Sequence, residues 1–171
     1  MLGCLCFAIV AATPADRFLN FRYQVGQQTS QLVDGFIFMS WTCPKCDREL
    51  PWADYRHYCA RVDLDSLFKG RSPELILVFD KILAEVADWP KVLIGVTPNC
   101  IVFTRRVGFL IIRPMKKELD LKVYSNVPRA EKPVIKSVAS GKKFENHIRV
   151  SQLDDLRPAL FVYIRESYDL K

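Results

Sequence analysis

The sequence predicts an α+β fold: an antiparallel sheet packed by two helices, preceded by a small N-terminal hook. Three observations predict it. Apolar residues recur at three and four after Ser72-Pro73, they alternate at two through much of 91–150, and a tight Cys/His cluster precedes both. Runs of strand signal grouped between two helical segments differ from the strict strand–helix alternation of a doubly wound parallel sheet.

Composition sets the outer bounds. A chain of 171 residues that is 50% hydrophobic and 12% aromatic can bury one ordinary core and is too apolar to be disordered. No apolar run approaches the roughly 20 residues that span a bilayer, so an integral membrane protein is not expected. Lys and Arg number 25 against 19 Asp and Glu, a net charge of +6 that suits an acidic partner without naming one.

Residues 1–38 read as an extension of doubtful standing. The apolar run Leu2 to Ala12 carries Cys4 and Cys6 and then gives way to polar chain around Gln27 to Ser30. A secretory signal would want a positive charge ahead of that run, and the first basic residue is Arg17. The favoured expectation is a true start at Met39, with a weak signal-like segment, a buried or membrane-touching helix or a loose tail as the alternatives. A cytoplasmic location is expected on the weak signal alone.

The hook is expected over 39–71. Cys43-Pro44-Lys45-Cys46 and His57-Tyr58-Cys59 give the pattern C-x2-C-x10-H-x-C. Three thiolates and one imidazole form a complete tetrahedral donor set for zinc, and a C-x2-C knuckle lets two sulfurs converge on one ion. His57 and Cys59 lie two apart, so in extended chain both leave on one side. The metal ligands are therefore expected to be Cys43, Cys46, His57 and Cys59, holding a structural zinc in a zinc-ribbon-like hook. A redox C-x-x-C would follow a strand and open a long helix, yet Pro51 comes five residues after Cys46. A disulfide needs an oxidising compartment. With four protein ligands no position is open for water, so the site is a staple. Cys100 reads as packing within a strand.

The α+β domain is expected over 72–171, with the only plausible boundary in a loop at Leu67 to Arg71. Ser72 caps a helix with Pro73 at its first position, and Leu75, Val78, Phe79, Ile82, Leu83 and Val86 form its apolar stripe to about Asp88. Strands follow at Val92 to Val96, Ile101 to Arg105, Phe109 to Arg113 and Leu119 to Tyr124, with others at Val134 to Ala139 and Phe144 to Val150. Helical signal returns at Leu153, and Pro158 sets the real start of the last helix.

Charge concentrates on the strands. Residues 104–149 hold twelve Lys or Arg and four Asp or Glu, a local +8. Arg113, Lys116, Lys117, Lys122, Lys142, Lys143, His147 and Arg149 are the candidate anion-binding residues, a footprint that suits nucleic acid or another polyanion. The competing reading is a solvated basic face, since no base-reading motif accompanies the charge.

Catalytic signals are thin, and a non-enzymatic role is the expected one. His147 could serve as an acid–base group or simply as a surface hydrogen-bonder. Asp120-Leu121-Lys122 has the acid-x-lysine spacing of a metal-dependent nuclease, but such a site needs a further converging carboxylate. That enzyme, or another hydrolase, is the alternative, with a protein-interaction module as a third class. Ser140-Gly141-Lys142-Lys143 lacks the first glycine and the trailing Ser or Thr of a phosphate loop.

Taken together, Trp41 to Cys46, His57, Cys59 and Leu67-Phe68-Lys69-Gly70-Arg71-Ser72-Pro73-Glu74 resemble the opening of proteins carrying domain of unknown function 5655. Arg113 to Leu121 and Asn146 to Val150 are similar to its later segments. The resemblance runs from about Met39 to the C-terminus. It implies a compact α+β domain, largely bacterial in distribution, often beginning at a position equivalent to Met39, and it implies no activity and no catalytic residues.

Overall fold

The computed structural model describes residues 40–170. The expected extension over 1–38, with Cys4, Cys6 and the alternative start at Met39, lies outside them. Within the described residues the hook begins as a short antiparallel ribbon, β1 (Trp41–Thr42) against β2 (Glu49–Leu50), with Trp41 opposite Leu50. Cys43, Cys46 and Leu50 are buried together, and Trp41 and Tyr55 pack against them. So small a cluster buries little apolar area, which is why such a hook needs another source of stability.

Two helices follow. α1 (Leu64–Phe68) occupies part of the stretch expected to be loop, because Leu67 and Phe68 turn inward and the Phe68 ring lies 4.9 Å from that of Phe79. α2 (Pro73–Val86) buries the six residues of the predicted stripe, Leu75, Val78, Phe79, Ile82, Leu83 and Val86. Each such side chain contributes roughly 1.5–3 kcal/mol on full burial. The Ser72 hydroxyl accepts from the Leu75 N–H at 3.4 Å, as the capping signal predicts.

The sheet has six strands: β3 (Leu93–Val96), β4 (Ile101–Thr104), β5 (Gly108–Pro114), β6 (Leu119–Ser125), β7 (Val134–Ser140) and β8 (Lys143–Val150). Their spatial order is β3-β4-β5-β6-β8-β7, and every neighbouring pair is antiparallel. Register lines up Ile101, Ile112, Leu121, Ile148 and Val134 in one row, all buried. With the buried faces of α2 and of α3 (Pro158–Asp169), that side of the sheet is the core. Because side chains alternate, the residues between them fall on the other side: Arg113, Asp120 and Arg149 in one row, Lys122, His147 and Lys136 in the next.

β6 and β7 run parallel with β8 between them, so residues 126–133 must carry the chain back along the sheet. Arg129 anchors that crossover to α3 by an ion pair with Glu166 at 2.9 Å, and Tyr163 donates to Glu131 at 3.0 Å. The helical signal at Leu153 belongs to a single 3-10 turn, Leu153–Asp155, and the final helix starts at Pro158 as the sequence predicts. Cys100 does not lie inside a strand. It closes the turn between β3 and β4, half-buried, with its sulfur 3.0 Å from the Thr97 hydroxyl.

Candidate metal centre and the charged sheet face

The knuckle forms because Asp47 takes a left-handed backbone, φ 56°, which turns the chain after Cys46. The Asp47 N–H then donates to the Cys43 carbonyl at 2.8 Å, and the Cys43 N–H to the Arg48 carbonyl at 2.9 Å. These bonds aim both sulfurs inward. Cys59 Sγ comes to 3.7 Å from Cys43 Sγ, and His57 Nε2 to 3.5 Å from Cys46 Sγ. The ligand atoms of all four predicted residues lie within 4.8 Å of one another, close enough to bind one metal ion.

The imidazole is oriented for that role. His57 Nδ1 lies 2.8 Å from the Tyr55 carbonyl, an acceptor, so Nδ1 carries the proton and the Nε2 lone pair faces the sulfurs. The backbone N–H of Lys45, with that of Cys46, holds the Cys43 thiol down to about 6 against the desolvation of its buried setting. Desolvation, followed by the Cys43 and Cys46 sulfurs, pushes the Cys59 thiol up. Crowded sulfur of this kind is what a bound cation relieves. Tyr55, which supplies the orienting carbonyl, carried no signal in the sequence.

The predicted anion-binding residues do not form one patch. Arg149 pairs with Glu118 and with Asp120, the latter at 3.1 Å, while Lys122 pairs with Glu145 at 2.8 Å. His147 lies between the last two acids, Nδ1 3.2 Å from Asp120 and Nε2 3.1 Å from Glu145. The result is a chain of ion pairs and hydrogen bonds across β6 and β8, in which the His147 ring bridges the Asp120 and Glu145 carboxylates. Desolvation works against the Arg149 charge, and the Glu118 and Asp120 carboxylates outweigh it. Lys116 and Lys117 lie exposed in the β5–β6 turn at one end of β6, beside exposed Arg113. Lys142 and half-buried Lys143 lie at the β7–β8 turn, beyond the other end.

A signal for this arrangement was present in the sequence. Asp120 and Lys122 on one strand, and Glu145, His147 and Arg149 on another, match in sign only if the two strands run antiparallel. The same network bears on the nuclease spacing at Asp120-Leu121-Lys122. The Asp120 carboxylate is engaged by His147 and Arg149, and Glu145 by Lys122 and His147.

Fold and cluster together define a small α+β domain preceded by a hook whose four Cys and His side chains lie close enough to bind a metal ion. Residues 64–171 match the family model described as Domain of unknown function (DUF5655), and the chain belongs to that family. The matched span opens at Leu64, the first residue of α1, so the four Cys and His ligands lie ahead of it. No curated protein and no solved structure matches the chain. No helix among the described residues is long and apolar enough to cross a membrane.

Proposed function

We propose that this chain is a non-catalytic, zinc-stapled domain that binds an extended polyanion such as nucleic acid. Two separations support zinc as the metal. A tetrahedron with Zn–S of about 2.3 Å and Zn–N of about 2.05 Å has S···S and S···N edges of about 3.8 and 3.6 Å. The sulfur pair at 3.7 Å and the sulfur–nitrogen pair at 3.5 Å match those edges, while the four donor atoms together lie within 4.8 Å of one another, so the widest separation would close by about 1 Å around an ion. Four protein donors complete the coordination, so the ion orders residues 41–59 and activates no water. On this reading the hook spans 39–71 and the sheet domain 72–171.

The observation that carries the polyanion reading is the position of the exposed lysines. The network pairs Lys122 and Arg149 in the middle of the face and leaves exposed Lys116 and Lys117 at one end of β6 and Lys142 with half-buried Lys143 beyond the other, with exposed Lys136 on β7 between the two ends. Seven strand residues separate them, roughly 20 Å at strand rise. A single phosphate cannot reach both ends, whereas a nucleic-acid backbone can. Binding of a fluorescent oligonucleotide, followed across a salt series, tests this. A steep fall in affinity with salt is expected, with the slope reduced by about two in Lys116→Glu/Lys117→Glu. Salt-independent binding, or none at low salt, overturns it.

A further inference from the structure

Among the described residues only two aromatic side chains are exposed, Trp52 at 49% and Tyr58 at 51%, and both belong to the hook. The metal centre presents both rings. His57 and Cys59 turn toward the other two ligands, and the chain from Tyr55 to Tyr58 alternates half-buried and exposed. Side chains two apart in extended chain leave together, so Arg56 and Tyr58 point away from the metal on one side. Trp52 is held by its neighbour: its ring lies 5.0 Å from that of Tyr55, at 81°. Tyr55 in turn packs on the buried Cys43, Cys46 and Leu50, and its carbonyl orients His57. Rings fixed in this way lose little freedom when a flat ligand stacks on them.

The hook also stands on the charged face of the sheet. Arg48 lies over Gly95, where an added Cβ would stand 3.1 Å from the Arg48 Cδ and Nε. Gly95, Val102, Ile111, Lys122, His147 and Lys136 form one row of paired residues, and side chains so paired share a face. The hook therefore approaches the side that carries Lys122 and Lys136. From Trp52 to Arg61 the hook holds Arg56 and Arg61 against Asp54 alone. Arg61 is paired with Asp47 at 2.5 Å, which leaves exposed Arg56 as the cation on the side of Tyr58. Exposed rings beside a cation suit unpaired bases on a phosphate backbone. In a duplex the base faces are stacked on one another and out of reach, whereas in a single strand every base offers one.

We propose that Trp52 and Tyr58 form a base-stacking platform, and that the polyanion this domain takes is single-stranded nucleic acid. The inference rests on the polyanion reading above and narrows it. The test is titration of the metal-loaded full chain with a labelled single-stranded oligonucleotide and with the same sequence as a duplex. The single strand should bind about tenfold tighter or more. Tyr58→Ala and Trp52→Ala should each weaken it about tenfold with the salt slope unchanged. Tyr58→Phe should bind like the wild-type chain, and Arg56→Ala should lower the slope by about one. Metal content and melting temperature show whether Trp52→Ala has loosened the hook, in which case the exposed Tyr58 carries the test. Equal affinity for strand and duplex, or wild-type affinity in Tyr58→Ala, overturns the platform and leaves the polyanion reading standing. No binding of either form at low salt overturns both. Self-association abolished by Tyr58→Ala at unchanged oligonucleotide affinity assigns the ring to a protein contact and likewise overturns the platform.

Discussion

His147 Nδ1 lies 3.2 Å from Asp120 Oδ1, across the β6–β8 ladder and 27 residues away in sequence. The same carboxylate oxygen accepts from Arg149 Nε at 3.1 Å. Asp120 is thus the hub of the network, with a side chain only 12% exposed. Removing one member of such a group strands its partners more than it forfeits a single bond. Asp120→Ala is expected to cost about 2 kcal/mol in urea denaturation, discounted for the exposure of Arg149. A double-mutant cycle with His147→Ala should return a coupling on the order of 1 kcal/mol. Strict additivity would dissolve the hub.

Ser167 replaces a missing rung of the sheet. The β5–β6 ladder runs up to the pair Leu110 and Val123. Beyond it the buried Ser167 hydroxyl donates to the Phe109 carbonyl at 2.6 Å and accepts from the Tyr124 N–H at 2.8 Å. Ser167→Ala leaves both backbone groups without that partner, a loss of about 1–3 kcal/mol. Chemical denaturation measures it, and a neutral result would mean that water or a shifted strand takes the place of the hydroxyl.

Metal removal should act on the hook first. Purified protein is expected to hold about one zinc per chain, and Cys43→Ser/Cys46→Ser none. Chelation should lower the melting temperature and speed exchange of the Cys43 and Asp47 amides, whose bonds close the knuckle. A chelated protein with the melting curve of the loaded form would contradict a stapling role.

Asp155 supplies a pH-dependent term. The Ser151 N–H, then the Gln152 N–H and the Ser151 hydroxyl, outweigh desolvation and hold its carboxyl below the usual range. A depressed acid stabilises the fold above its unfolded value and loses that contribution as pH falls through the folded one. Asp155→Ala should therefore cost about 1 kcal/mol near neutral pH. The gap to the wild-type chain should close in strong acid; a constant gap would assign the loss to packing.

The parts of this protein that were legible in its sequence are the local ones. The stripe of α2 could be read residue by residue, because a helical period is set by neighbours three and four positions apart. The four ligands could be read because a knuckle and a two-residue spacing bring donors together within a short chain. The basic face could not. Arg149 and Lys122 stood among the candidate anion-binding residues, and only the pairing of β6 with β8 brings their carboxylate partners against them. Arg48 gave no signal at all, since its partner is a backbone carbonyl 48 residues away.

By itself the sequence determined an α+β chain, a helix with a defined buried side, six strands in order, and a complete Cys3His donor set. Each follows from short-range periodicity or from the chemistry of side chains close along the chain. Tertiary structure decided which charges neutralise one another, that Lys116 and Lys117 fall at one end of β6 and Lys142 and Lys143 beyond the other, that Ser167 completes a strand ladder, and that Arg48 of the hook bonds the sheet. Those depend on register and strand order, which bring distant residues within hydrogen-bonding distance, and hydrogen-bond and ion-pair energies are decided over a few ångströms.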